Sequence, residues 1–380
     1  MSKKICGALL GLCLVLVIGA CGSSNDSSSG SSQAAAPTAT TGGTAGLAAI
    51  KAQVAKDKAG AVTWPAPTEA FDPGSKKAMI IACGFQAPVC VEAAKEGVKA
   101  VKAMGWTTPA PQDGQLAPQT QSGLVNKATQ QGYDAIVMYG IDVNSIKAAI
   151  DQATAKGVAI GCIVCNSGAL RGKVIDATPD FEKQGEQMAR YLIAKNDGKA
   201  KVAAFQDSAF PQTSLRVSGV KNVMSSDCPA CSLSVKQESV AETAKPGPPA
   251  FTALLSATPT GKLTDVVALY DGIGVPMATT LKSRGRKDMV IDGYDAEQPV
   301  LQALAGGTLP YGATIGSPVN YATWAAVDEV GRKVAGKPTW DATALPTVLI
   351  TKDNASKYIG KQFQPAGDWQ STFTKLWGKG

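Results

Sequence analysis

The chain has no histidine anywhere in its 380 residues. That removes the side chain most used as a general base near neutral pH, the base of hydrolytic triads and the commonest zinc ligand. Neither G-x-S-x-G nor G-x-x-x-x-G-K-[ST] occurs, so the nucleophile elbow and the phosphate-cradling loop are missing too. Catalysis through Asp, Glu, Lys or Cys stays open, but nothing in the sequence favours it, and no cofactor is expected. A strong charge bias is also lacking. The densest basic run, Lys282-Ser283-Arg284-Gly285-Arg286-Lys287, falls between a helical and a strand-like segment and reads as a solvated turn, so no nucleic-acid partner is expected. No run is long enough to span a bilayer comfortably. The apolar stretch Ile5–Ala20 holds sixteen residues, which at about 1.5 Å each reach only ~24 Å against a core of ~30 Å.

What is present at the N-terminus is a leader. Lys3 and Lys4 precede the uncharged stretch, the layout of a secretory signal over residues 1–20. Its end, Ile18-Gly19-Ala20-Cys21, resembles the bacterial lipobox, in which the cysteine is acylated and becomes the first residue. The alternative is a secreted protein cut at the same small residues. Lipidation at Cys21 places the protein in the cell envelope, anchored on the outer side of the cytoplasmic membrane. With the leader removed, 37 basic residues less Lys3 and Lys4 stand against 30 acidic ones, a modest net +5. Gly22 to about Gly46 is Ser, Gly, Ala and Thr with one charge, at Asp26. Such a composition cannot offset its ordering entropy by burial, so residues 21–60 are read as a flexible tether and lead-in.

From Lys76 onward, short apolar runs alternate with helical patterns. Strands are expected at 78–82, 135–139, 158–164, 174–176, 201–205, 232–236, 265–270, 288–294 and 311–315. Helices are expected at 91–104, 143–156, 181–195, 213–224 and near 275–283, 297–305 and 322–335. In the first of these, Val91, Ala94, Val98 and Val101 share one face. Continuous apolar strands between helices imply parallel sheets covered on both faces. The number of strands suits two sheets better than one. Polar and aromatic residues cluster just after the predicted strands, where open α/β sheets bind ligands.

These features resemble the type I periplasmic solute-binding proteins, sugar-binding branch, akin to ribose- and galactose-binding proteins. The resemblance is carried by "IIACGFQAPVCVEAAKEGVKAVKAMGW", "QGYDAIVMYGIDVNSIKAAIDQATAKGVAI", "VIDGYDAEQPVLQALAGG" and "YGATIGSPVNYATWAAVDEV", and covers about residues 76–350. It implies an α/β fold of two Rossmann-like lobes joined by a three-crossover hinge near 176–179, 315–318 and 337–345. Lobe 1 is expected at 76–178 plus 317–345, and lobe 2 at 179–316 plus 346–380. It further implies a monomeric receptor, not an enzyme, that closes on a small polar, sugar-like ligand and presents it to an ABC permease. A ligand-sensing module of the same fold reporting to a membrane receptor is the alternative. Position by position, the resemblance places Phe85, Gln86, Tyr139, Asp142, Asn166, Phe210, Arg216, Asp271, Asp295 and Ser317 at the ligand. Carboxylates, an amide and a planar guanidinium suit adjacent hydroxyls, and aromatic faces suit C–H surface. Asp142 and Asp295 could instead cap the helices that follow them. Arg216 and Asp295 are expected to serve the cleft and not a lobe core. Cys165-Asn166 and Val89-Cys90 depart from the family's usual pairs.

After Cys6 and Cys13 leave with the leader and Cys21 is acylated, six cysteines remain: Cys83, Cys90, Cys162, Cys165, Cys228 and Cys231. An even number in an exported chain favours disulfides. A bridge between Cys228 and Cys231 is expected, whereas pairing among the other four is left open. Cys228-Pro229-Ala230-Cys231 looks like an oxidoreductase motif, but a helix precedes it and a strand follows, the reverse of that family's order. No metal site is expected from the two distant C-x-x-C pairs without a histidine.

Overall fold

The computed structural model describes residues 44–165, 167–208, 210–240, 247–343 and 345–380. Cys21, the leader and most of the tether lie outside the described residues. The first lobe is built on β1 (Ala78–Ala82), β2 (Gln112–Asp113), β3 (Ala135–Tyr139), β4 (Ala159–Ile163) and β5 (Val174–Asp176), with helices α2 (Pro88–Ala103), α3 (Pro118–Gln130) and α4 (Lys147–Ala155) between them. All five strands are parallel, in the order β2-β1-β3-β4-β5. Every residue of β1, β3 and β4 is buried, as uninterrupted apolar runs require when helices cover both faces.

The second lobe carries β6 (Lys201–Gln206), β7 (Ser232–Gln237), β8 (Asp265–Val267), β9 (Val290–Tyr294), β10 (Tyr311–Gly316) and β11 (Val348–Thr351). Its order is β11-β10-β9-β8-β6-β7, parallel except for β11, which runs antiparallel to β10. Helices α5 (Phe181–Lys195), α6 (Pro211–Asp227), α7 (Pro249–Ala257), α8 (Asp271–Ser283) and α9 (Gln298–Gly306) flank it. Helix α5 starts at an Asp180 cap, whose side chain accepts from the Lys183 N–H at 3.1 Å. Helices α5 and α6 touch backbone to backbone through Gly185 and Gly219. A Cβ at Gly185 would overlap the Arg216 carbonyl, and one at Gly219 the Glu182 carbonyl.

The chain crosses between lobes near 177–180, 317–318 and 345–347. After the second crossing, α10 (Val319–Val334) packs into the first lobe's core. Two further passages were not foreseen. The lead-in is helical from Thr44: α1 (Thr44–Ala59) lies against α5 and β11, with Ile50 in the second lobe's core. The chain then runs through Trp64 to Phe71 in the first lobe. At the other end, α11 (Gln370–Leu376) returns to the first lobe, although residues 346–380 were expected in the second. Trp369, Phe373 and Trp377 are buried there, and Trp377 stacks on Trp324 with centroids 5.5 Å apart. The physical reason is aromatic surface. These rings bury against Trp324 in the first lobe, and the indole N–H groups of Trp377 and Trp340 both reach buried Asp328.

The six cysteines pair with their neighbours: Cys83 with Cys90, Cys162 with Cys165, and Cys228 with Cys231. No described helix is long and apolar enough to cross a membrane.

Candidate functional site

The two sheets point the carboxyl ends of their parallel strands at one inter-lobe cleft. From the first lobe come Tyr139, the last residue of β3, then Gly140, Leu116, Val164 and the loop closed by the Cys83–Cys90 bridge. Gly140 has φ +66°, and a Cβ there would press on Cys83 at 3.2 Å, so the close approach of this turn to the disulfide needs glycine. From the second lobe come Phe210, Gln212, Thr213 and Arg216 at the start of α6, together with Val240, Tyr270 and Asp295. The inner cavity is open on one side, and its empty space with the adjoining solvent counted is about 540 Å³. Gln86, Gln115 and Glu297 line a wider adjoining mouth.

Arg216 is the organising residue. Its side chain is almost wholly buried and three of its N–H groups are engaged. Nε donates to Gln184 Oε1 at 2.8 Å, Nη1 to the Leu269 carbonyl at 3.1 Å, and Nη2 to Asp295 Oδ1 at 2.6 Å. The guanidinium lies over the Tyr294 ring at 4.3 Å and the Phe181 ring at 5.4 Å. Asp295 has φ +95°, followed by Ala296 at +54°. This left-handed pair turns the carboxylate away from α9 and toward the arginine. Such backbone is found where a site over-determines it.

Acid crowding shapes the lower rim. Burial pushes Glu297 up to about 7, helped by the neighbouring Asp295 charge and opposed by the Gly272 N–H. Burial also raises Asp271 well above the carboxylate range, with Glu297 and Asp295 adding to it.

Of the residues expected at the ligand, Tyr139, Phe210, Arg216 and Asp295 meet in the inner cavity and Gln86 at its mouth. The others do not join them. Phe85 is 45% exposed, and its N–H donates to Asp113 Oδ1 at 2.9 Å. Asp142 folds back into its own turn, accepting from the Asn144 N–H at 3.1 Å. That turn delays α4 to Lys147. Asp271 is fully buried, and its carboxyl accepts from Tyr311 Oη, Thr314 Oγ1 and the Glu297 N–H. It pins α8 to β10 and α9. Ser317 sits in the second crossover and accepts from Gln184 Nε2 at 2.9 Å. Asn166 lies outside the described residues. The expectation that Arg216 serves the cleft alone is corrected: at 3% exposure with partners on α5 and the β8–α8 turn, it is also a core residue. Sequence reasoning missed Gln184, Gln212, Val240, Leu116, Val164 and Tyr270. Tyr270 carried a readable signal, as the aromatic that ends the strand expected over 265–270. Val164 and Leu116 reach the cleft through left-handed backbone, φ +57° and +52°, which β-branched and aliphatic side chains do not advertise.

Two α/β lobes with strand ends facing a shared cleft define a bilobal receptor for a small solute. The chain belongs to the periplasmic binding protein domain family, whose model matches residues 80–338. This is a family of solute-binding proteins and not of enzymes, and it works outside the cytoplasmic membrane. The ribose import binding protein of Bacillus subtilis is 27% identical over 215 residues, 56% of this chain and 65% of that protein, so the match spans just under two thirds of the relative. A sugar ABC transporter structure from Yersinia enterocolitica has a TM-score of 0.69 at 18% identity, covering 82% of this chain and 99% of that one. The myo-inositol binding protein of Caulobacter, solved with myo-inositol, has a TM-score of 0.66 at 18% identity, covering 78% and 99%. The two structures share the fold.

Proposed function

We propose that the protein is the solute receptor of an ABC importer, tethered by lipid at Cys21 to the outer side of the cytoplasmic membrane. Its ligand is a small polar solute of the sugar class. The observation that carries the reading is the Arg216–Asp295 pair, held at 2.6 Å where the strand ends of the two lobes meet and flanked by Tyr139 and Phe210. A planar guanidinium and a carboxylate side by side donate to and accept from vicinal hydroxyls, and aromatic faces cover ring C–H surface. The family supports export and solute binding, and the relatives handle ribose and myo-inositol. The lipid tether keeps the receptor concentrated at the membrane that holds its permease.

A thermal-shift panel of pentoses, hexoses, polyols, nucleosides and small acids tests the receptor. A ligand that binds only the folded state adds about 2.7 kcal/mol at a hundredfold excess over Kd, so one member should raise the melt clearly. A flat response across the panel would reject the sugar class. For the anchor, detergent-phase partitioning of the protein expressed in a bacterium should be lost in Cys21→Ala. Equal partitioning of the two forms would reject lipidation.

A further inference from the structure

The hydrogen-bonding capacity of the inner cavity lies almost entirely on one side. On the second lobe, Arg216 has two N–H groups beyond the three already engaged. Asp295 and Gln212 line the same cavity. The first lobe presents the Cys83–Cys90 bridge, Ala87, Val89, Leu116 and Val164, and among the described residues only the Tyr139 hydroxyl is polar there.

Among the described residues, the other polar groups at the first lobe's strand ends are hydrogen-bonded within the lobe. Asp113 accepts from the Phe85 and Gln115 N–H groups, and Asp142 is bound within its own turn. Asp176 accepts from the Ser167 N–H at 3.2 Å and from the Thr178 hydroxyl. Gln121 donates to the Cys83 carbonyl at 3.2 Å, which also accepts from the Leu116 N–H at 2.7 Å. The Val164 N–H is taken by Thr178 Oγ1 at 2.9 Å. Gln86 and Gln115 line only the outer mouth.

A fully hydroxylated ring in this cavity would bury hydroxyls against a wall whose described side chains offer only the Tyr139 hydroxyl as a partner. Each such loss lowers affinity roughly tenfold, whereas each methyl or methylene set against the same wall raises it about fourfold. We infer that the ligand is a sugar-sized ring with two unlike edges, vicinal hydroxyls facing Arg216 and Asp295 and an alkyl edge facing Val89, Leu116 and the disulfide. The chemical class is a deoxygenated or methylated cyclic polyol. This inference rests on the sugar-class reading above and names which part of that class the cavity takes.

Matched pairs test it by calorimetry on the folded full chain: galactose against 6-deoxygalactose, mannose against 6-deoxymannose, and myo-inositol against cis-cyclohexane-1,2-diol. In at least one pair the deoxygenated member should bind at least tenfold tighter than its partner. Leu116→Asn places an amide on the wall at a left-handed position that asparagine tolerates, and it should narrow that preference severalfold. If the fully hydroxylated members bind as tightly or tighter in every pair, the two-edged ligand is wrong and the sugar receptor stands. If no member binds a chain that circular dichroism shows folded, both readings fall.

Discussion

Gln184 Nε2 donates to Ser317 Oγ across 2.9 Å, joining α5 to the second crossover between the lobes. The same amide accepts from Arg216 Nε through its oxygen, so the arginine of the cleft and the second crossover share one buried side chain. Three residues along α5, Gln187 Oε1 accepts from Thr347 Oγ1 at 3.1 Å in the third crossover. Two of the crossovers are thus hydrogen-bonded to α5, which in turn touches α6 through the glycine contact.

Gln184→Leu keeps the volume and removes both hydrogen bonds, leaving a buried charged donor without its acceptor. An unsatisfied buried partner typically costs ~1–3 kcal/mol. Urea unfolding should show a loss of about 2 kcal/mol, and ligand affinity should fall with it as Arg216 loses its seat. Gln184→Glu supplies the acceptor again and should recover most of the affinity. An unchanged midpoint together with unchanged affinity would show that the network carries neither role.

Arg216 and Asp295 should separate on stability. Both Arg216→Ala and Asp295→Ala remove a charged partner and should weaken the ligand roughly ten- to a hundredfold. Arg216→Ala should also lower the unfolding free energy by ~3 kcal/mol or more, since the side chain is buried and bridges α5, the β8–α8 turn and Asp295. Asp295 is more exposed and makes fewer contacts, so its removal should destabilise less. Equal melting losses in the two variants would contradict the placement of Arg216 in the core.

Gly219→Ala tests the α5–α6 contact. The added Cβ meets the Glu182 carbonyl, which is backbone and cannot rotate away. Overpacking of this kind costs ~1–3 kcal/mol. The helices should separate slightly, lowering the thermal midpoint and moving Arg216 off Gln184. A melt identical to the parent's would mean that the helices slide apart freely.

Stability should fall as pH rises from 5 to 8. Glu329 is buried beside Asp328, and one of its oxygens has no partner among the described residues. Burial raises it from 4.5 to about 8. Glu297 is raised to about 7 in the same sense. A carboxyl with a folded value above its unfolded one binds its proton more tightly in the native state. Its contribution is complete below about 4.5 and is lost as pH climbs through the folded value. Glu329→Gln keeps an acceptor for the Trp340 N–H and cannot ionise, so it should flatten the melting-temperature profile between pH 5 and 8.5. A slope equal to the parent's would assign the effect elsewhere.

Most of the first lobe and half of the cleft were legible in the sequence. Strands β1, β3 and β5 and helix α5 begin and end where apolar runs and periodicity place them, because burial on both faces leaves a continuous local signal. The family resemblance placed Tyr139, Phe210, Arg216 and Asp295 at the cleft, and all four line its inner cavity. Helix α3, "PQTQSGLVNKATQ", carries too few apolar residues to announce itself. The helical lead-in α1 likewise mixes Ala, Lys and Gln without a clear stripe. Tertiary structure alone decided where the C-terminal tryptophans dock, since a buried ring marks a core without saying which of two cores. It alone turned Phe85, Asp142 and Asp271 from ligand candidates into, respectively, an exposed side chain, a turn and an internal anchor. Each sits at a strand end as the pattern asks, but Asp142 is claimed locally by Asn144, whereas Asp271 is claimed by Tyr311, Thr314 and the Glu297 N–H, donors that packing brings in from distant parts of the chain. The same holds for Gln184: a glutamine inside an amphipathic helix looks like surface until the fold places a serine of the second crossover on one side of its amide and an arginine of the cleft on the other.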